Sequence, residues 1–363
     1  ILKQAGYYTI HVGKAHWGSA GTPMSNPLNL GFMVNISGHA AGHPQSYYGK
    51  DNYGNIPGKS TYQSVPDLMN YHGSDTNLTE ALTLEAIKSL EEPIRLKMPF
   101  YLNMAHYAVH VPIQPDVLFY QSYLEEGLDT ANAKYASMVA SMDKSLGDIM
   151  KFLSAKDIAK NTIIIFMSDN GGLSLGGARG KIAHVQNLPL RAGKGSMYEG
   201  GIRVPMIVKW PEVVKSNSNI HQYVIAEDFF PSILAMAGVS NFKTIQKVDG
   251  KSFVPLLKNN TITDTNRILV WHYPNKWVDG DGPAINYKSA IRQGSWKLIY
   301  DLRNGHKELY NLSYDIGEHF DLSMQQPAKT KQLTLKLKEI LEKNNAPMPS
   351  YKLNSKKVEI LID

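Results

Sequence analysis

The sequence predicts an α/β protein, with a mostly parallel sheet covered by helices on both faces and a small C-terminal α+β subdomain. Three observations predict it. Residues 163–167, IIIFM, form an unbroken apolar run rich in β-branched side chains, the pattern of a strand buried on both faces of a parallel sheet. Helical periodicity alternates with such runs: residues 77–92 precede 100–104, and 133–153 precede 163–167. After residue 257 the texture changes to short strand-like runs, a tight turn and one amphipathic helix. This places an α/β domain over residues 1–257 and the subdomain over 258–363.

Composition narrows the class. At 363 residues the chain exceeds the size at which single cores stop growing, which agrees with one large and one small domain. A chain that is 43% hydrophobic and 19% charged is globular rather than disordered. No stretch approaches the roughly 20 apolar residues of a membrane-spanning helix. The net charge of +6 is scattered, which argues against nucleic acid and suits small anionic substrates. Cysteine is absent, which excludes disulfides, thiolate metal sites and a cysteine nucleophile. Ile1 is followed by residues 2–6 that read as the tail of a helix stopped by glycine, so the chain is expected to begin in mid-domain.

The elements follow in order. Residues 8–12 alternate weakly, as a strand would, and lead into Gly13-Lys14-Ala15-His16-Trp17-Gly18. On an extended segment Lys14 and His16 point to one side, where two cationic or proton-carrying groups suit a tetrahedral anion; a glycine-bounded turn with a solvated lysine is the plainer reading. Residues 19–71 are rich in Gly, Pro, Asn, Ser and Tyr without periodicity. Such a long irregular segment serves either to bind, a sugar being the ligand its side chains suit, or merely to pack. Asn77 caps the next helix, with Glu80 three residues on and Pro93 as its stop. Residues 100–104 read as a strand leading to His106 and His110. In the helix over 133–153, Tyr135, Met138, Val139, Met142, Leu146, Ile149 and Leu153 recur at core spacing. A further apolar helix over 225–238 closes at Gly238.

In the C-terminal part, residues 268–271, 290–292, 296–301 and 308–312 read as strands. Asn304-Gly305 makes a tight hairpin between the last two. Residues 332–343 form a helix with Leu333, Leu337, Ile340 and Leu341 inward. His272 either contacts a substrate or is a packed structural group.

Residues that bear chemistry cluster around the 163–167 strand. Ligands of open α/β sheets sit beyond the carboxyl ends of the strands, and this one ends in Ser168-Asp169-Asn170-Gly171-Gly172. Asp169 and Asn170 offer the oxygen donors a hard cation prefers, although Asp-Asn-Gly-Gly alone is also an ordinary turn. Lys194, between Gly193 and Gly195, can bring its charge close to an anion. It precedes Glu199-Gly200-Gly201-Ile202-Arg203-Val204-Pro205 and a second apolar strand at 206–208. A metal-ligating turn beside an unshielded lysine makes an anion-hydrolysis site plausible.

These motifs, with AGYYTIHVGKAHWG, HYAVHVPIQP and WKLIYD…ELYNLSYDIGE, resemble the formylglycine-dependent sulfatases of the alkaline-phosphatase superfamily. The likeness runs in the family's order from residue 6 to about 322. It implies an alkaline-phosphatase-like fold and hydrolysis of a sulfated carbohydrate or aryl sulfate. It also implies Ca²⁺, with Mg²⁺ as the lesser alternative, bound in part by Asp169 and Asn170. By the same resemblance Lys14 holds the nucleophile and an ester oxygen, Lys194 binds a sulfate oxygen, and His16 assists the formylglycine hydrate. His110 matches the family's histidine nearest the leaving oxygen, whereas His106 has no match and is expected to be structural. A periplasmic or secreted location is implied as well.

The sequence departs from the family pattern in two respects. No Cys/Ser-x-Pro-x-Arg motif is present: neither Ser25-Asn26-Pro27 nor Ser64-Val65-Pro66 is followed by the arginine. The family's Asp-Asp metal strand is missing too. Both lie upstream of Gly-Lys-x-His in the family, so they are expected outside this chain, which as written should be inert. Two other readings stand beside this one. A two-metal phosphatase or phosphodiesterase usually has histidine where Asn170 stands, and asparagine replaces it poorly as a metal ligand. A non-catalytic glycan-binding relative has no need of both lysines and both histidines.

Overall fold

A computed structural model of the chain describes residues 1–173, 187–279, 282–352 and 355–362. It forms two compact units, each made of two sequence segments. The first is Ile1–Thr162 with Ala226–Val254, the second Ile163–Ile225 with Pro255–Asp363.

The first unit holds the parallel sheet. Strand β1 (Tyr8–Gly13) lies between β2 (Val34–Ile36) and β3 (Phe100–Ala105), parallel to both. Ile10 and Val12 are completely buried, and so is His11 between them, which makes β1 the centre of this core. Helix α1 (Leu78–Arg95) packs on β1 and β3, capped by Asn77 Oδ1, which accepts from Thr79 N at 2.9 Å. Pro93 does not end it. It lies in the last turn, where its missing N–H costs one hydrogen bond of a helix about to stop.

Helix α2 (Val117–Glu125) and the long α3 (Thr130–Ala155) complete the layer. The buried face of α3 is not the expected stripe. Val139 is 42% exposed, while Ser137, Ser141 and Ser145 are buried beside Met138, Ile149 and Leu153. Small side chains let α1 and α2 approach closely, and their hydroxyls then need partners. Ser141 donates to Asp116 Oδ2 (2.6 Å), Ser137 accepts from Asp116 N (3.1 Å), and Ser145 meets Thr83 (2.6 Å). The second segment of this unit adds α5 (Phe229–Met236), which Gly238 closes at φ 73°.

The second unit opens with β4 (Ile164–Met167), followed by the single-turn α4 (Glu199–Ile202) and β5 (Met206–Lys209). The expectation of a doubly buried parallel strand at 163–167 is corrected here. β4 is half-buried and pairs antiparallel with β5, Ile164 opposite Lys209. An apolar run of this length reads alike in either sheet type, because strand direction depends on the connection rather than on the run. Helix α6 (Val254–Lys258) spans the junction between the segments. Beyond it, β6 (Ile268–Tyr273), β7 (Lys288–Gln293), β8 (Trp296–Asp301) and β9 (Lys307–Asn311) form an antiparallel sheet in that order. Helix α7 (Pro327–Lys343) lays Leu333, Leu337 and Leu341 against Ile291, Leu298, Tyr300 and Leu309. Each of those leucines contributes about 2 kcal/mol by leaving water. Among the described residues no helix is long and apolar enough to cross a membrane.

Candidate functional site

In the first unit the site begins where β1 and β3 end side by side. Gly13 pairs with Ala105, and Lys14 N donates to Ala105 O at 2.7 Å. Gly13 has φ 102°, and a Cβ there would lie 2.0 Å from that carbonyl oxygen, so only glycine fits. Ala15 is buried between a half-buried Lys14 and an exposed His16, which has φ 57° rather than a fully extended backbone. His16 N donates to His39 O at 2.9 Å, and Gly42 passes so close to the His16 ring that a Cβ would lie 2.8 Å from it.

The same stretch reaches His110. The His43 ring stacks on the His110 ring, with centroids 5.5 Å apart and planes 7° from parallel. His110 Nδ1 lies 3.3 Å from Val111 O, and since a carbonyl only accepts, Nδ1 bears a proton there. Tyr47 donates to His110 O (2.9 Å) and Tyr107 to Ser37 O (2.8 Å), so buried tyrosines tie the irregular segment to the His110 loop. Tyr47 and Tyr53 are therefore core, whereas Tyr62 is 67% exposed. Sequence reasoning assigned no individual role within residues 19–71. His39 and His43 had only their spacing as a signal. Burial holds His106 and His11 down to about 4, so both are neutral at physiological pH. His106 Nδ1 is sealed from solvent with no partner among the described residues.

In the second unit the turn after β4 and the lysine loop are bound together. Lys194 N donates to Gly172 O at 3.0 Å, and Gly171 N donates to Gly201 O at 3.0 Å. A Cβ on Gly171 would lie 1.7 Å from Gly200 O, so the turn lies flat against α4. Asn187 clasps both strands of this contact. Its Oδ1 accepts from Gly172 N (3.1 Å), and its Nδ2 donates to Gly172 O (2.8 Å) and Ala192 O (2.9 Å). Asn187 was not singled out by sequence. Asp169 is exposed and has no hydrogen-bond or ion-pair partner among the described residues. Asn170 Nδ2 donates to Gly171 O at 2.9 Å, which leaves its Oδ1 as the atom suited to a cation.

Those oxygens fit Ca²⁺ in kind but not in number, since such an ion takes six to eight oxygens. Among the described residues no group of three or more His, Cys, Asp or Glu could hold a metal. His272 is engaged at both ring nitrogens. Its Nε2 donates to Pro347 O (2.7 Å), and its Nδ1 lies 2.7 Å from Ser289 Oγ, within hydrogen-bond distance. Its packing in this unit accounts for the ring. Lys14, His16 and His110 thus belong to the first unit, and Asp169, Asn170, Lys194 and His272 to the second.

Beneath the lysine loop is a buried charge network. Glu199, 1% exposed, receives Lys297 Nζ at 2.9 Å and Arg292 at 3.0 Å. Lys297 also pairs with Glu318 at 2.8 Å, and Glu318 Oε2 accepts from Glu199 N at 2.6 Å. Burial alone would raise Glu199, but Lys297 and Arg292 outweigh it and hold the carboxyl below its ordinary range. Glu318, with Lys297 shared and Glu199 nearby, is raised by its burial.

Comparison with known proteins accords with these motifs. Residues 1–239 match the family model described as Sulfatase, and residues 192–346 match that of the N-sulphoglucosamine sulphohydrolase C-terminal region. A sulfatase of Formosa agariphila is 34% identical over 307 residues, covering 79% of this chain and 54% of that protein. The human N-acetylgalactosamine-6-sulfatase is 27% identical, covering 89% of this chain and 63% of that one. The chain thus spans between half and two thirds of the length of these relatives. The crystal structure of Ps i-CgsB in complex with k-i-k-neocarrahexaose is 26% identical, with a TM-score of 0.74 over 95% of this chain and 74% of that one.

Proposed function

The chain belongs to the sulfatase family, and from that premise we propose that the protein hydrolyses sulfate esters of a sulfated carbohydrate, in the manner of an arylsulfatase. The observation that supports this reading most is the Asp-Asn-Gly-Gly turn locked to the Lys194 loop. It brings the backbone of Lys194 beside the turn that carries the exposed Asp169 and the half-buried Asn170, which supports reading them as one sulfuryl-binding region. Lys194 pairs with a sulfate oxygen throughout the reaction. Lys14, fixed at the end of β1, holds a second oxygen and the nucleophile. His110 gives a proton to the leaving alcohol, and His16 takes part in restoring the nucleophile. The nucleophile is a formylglycine contributed from outside these 363 residues, because no Cys/Ser-x-Pro-x-Arg lies within them. Asp169 and Asn170 would supply part of the site for Ca²⁺, with Mg²⁺ the alternative; the bound ion would polarise the sulfate. The substrates named for relatives, and a periplasmic or secreted location, belong to the same reading.

The test is release of inorganic sulfate, followed by ion chromatography, from sulfated oligosaccharides and from matched phosphate esters. It is run on the protein extended upstream, before and after exhaustive chelation. Sulfate release that chelation abolishes is expected. A preference for phosphate esters overturns the assignment, and full activity after chelation overturns the metal.

A further inference from the structure

We propose that Glu199 is a positioning residue: held by Lys297 and Arg292, its buried carboxylate fixes the glycine-rich loop that presents Lys194 and backs the Asp169 turn. The inference rests on reading Lys194 as the sulfate-binding lysine. From Gly193 to Gly201 the loop has four glycines. Met197 and Tyr198 anchor its middle in the apolar cluster of Ala284, Ala290, Ile299 and Tyr310, yet every glycine around them widens the backbone freedom that must be suppressed.

Two kinds of contact suppress it. The backbone folds on itself, with Ser196 N on Gly193 O (2.9 Å) and Gly200 N on Arg191 O (2.9 Å). Gly200 and Gly201 lie so close to the carbonyls of Arg191, Ala192, Gly193 and Ser196 that no Cβ fits. The second kind ties the loop to the antiparallel sheet. Ser196 donates to Pro283 O (2.7 Å) and Met197 N to Ala284 O (3.0 Å), but the charged tie is Glu199. Its carboxylate reaches Arg292 on β7 and Lys297 on β8, while its own N–H is taken by Glu318. The Arg292 guanidinium is itself pinned by stacking 3.4 Å from the Tyr223 ring centroid.

The short helix that begins at Glu199 faces both functional elements. Its Gly201 O receives Gly171 N, its Gly200 touches Gly171, and the chain leading into it contains Lys194. A displaced Glu199 therefore moves the lysine and the turn together. A buried ion pair is weak evidence for stability, since apolar residues would pack as well. Two buried cations on one carboxylate, with Glu318 on the N–H of the same residue, beside a functional loop are better accounted for by geometry.

The experiment compares Glu199→Gln and the milder Glu318→Gln with Lys288→Met, which breaks a buried ion pair of the same sheet away from this loop. Acylation of each lysine by a small ester is timed by mass spectrometry in the native 363-residue chain. Either network variant should change the Lys194 rate about fivefold or more, whereas Lys288→Met, at equal or greater loss of Tm, should leave it unchanged; such selectivity follows from local rather than global opening. In the turnover-competent protein Glu199→Gln should raise KM and lower kcat for a sulfate ester, and its effect should largely vanish in a Lys194→Ala background. Unchanged Lys194 labelling in both network variants, or losses that multiply independently in the double mutant, overturns the proposal. If Glu199→Gln does not fold, Glu318→Gln decides the labelling arm. A parent protein that releases no sulfate would refute the functional reading while the labelling result still judges the positioning.

Discussion

Lys194 and His110 should fail in different ways when removed, because the proposed mechanism has them act at different times. Lys194 meets a charge present in both substrate and transition state, so Lys194→Ala should raise KM as well as lower kcat. A proton from His110 matters only as the alcohol leaves. His110→Ala should therefore cost about 10²-fold or more on a sugar sulfate and much less on a nitrophenyl sulfate, whose leaving group needs no proton. Equal losses on the two substrates would remove the acid role. Gly13 offers a test of stability at the same scale. Alanine there meets Ala105 O at 2.0 Å with φ at 102°, and should cost about 3 kcal/mol in urea denaturation. Lys14, His110, Asp169 and Lys194 could be singled out as candidates because each stands in a motif with its glycines or prolines. His39, His43 and Lys297 could not, since partners of each lie far along the chain: Lys297 is 98 residues from Glu199. Asn187 bonds Ala192 and Gly172, only 5 and 15 residues away, but no motif marks it.

Among elements, the C-terminal sheet was the most legible and β4 the least. β8 and β9 were readable because alternation and an Asn-Gly turn are local signals, and Gly305 takes φ 75° as such a turn requires. The direction of β4 had no local signal. On α3 the methionines suggested a core, but buried serines with nearby hydroxyl partners do much of the packing, and their spacing is polar to the eye. The pairing of β7 with β8 allows a pH prediction. Lys288 and Asp301 are direct cross-strand partners and form a buried ion pair. Burial would raise Asp301, but Arg303 and Lys288 bring it down to about 2. A carboxyl depressed in the folded state stabilises fully above its unfolded value, about 3.9, and that contribution is lost as pH falls towards 2. Asp301→Asn should cost about 3 kcal/mol near neutrality by stranding Lys288, and should flatten the fall of Tm between pH 4 and 2. An unaltered acid limb would show that the pair does not govern it.

At the scale of the whole molecule, the 363 residues contain no Cys/Ser-x-Pro-x-Arg motif, so on the proposed mechanism they hold groups that bind and polarise but not the nucleophile. On that mechanism Lys14, His16, His110 and Lys194 would stabilise charge or move protons, and Asp169 would be the one carboxylate on the metal. Expressed by themselves, residues 1–363 should therefore release no sulfate from any ester and bind Ca²⁺ weakly. Their association state should reflect the sheets. Among the described residues the parallel sheet has three strands, β2-β1-β3, so the outer side of β3 is hydrogen-bonded to no other strand. The six residues of β3 are only half-buried, and all of them have apolar or amide side chains apart from Tyr101. An unpaired edge of that composition pairs readily with another chain. Light scattering of this chain beside a version extended upstream should show concentration-dependent association in the first and a monodisperse species in the second. A monomeric 363-residue chain with sulfatase turnover would overturn both the edge argument and the external nucleophile, and the roles of Lys14 and His16 with them.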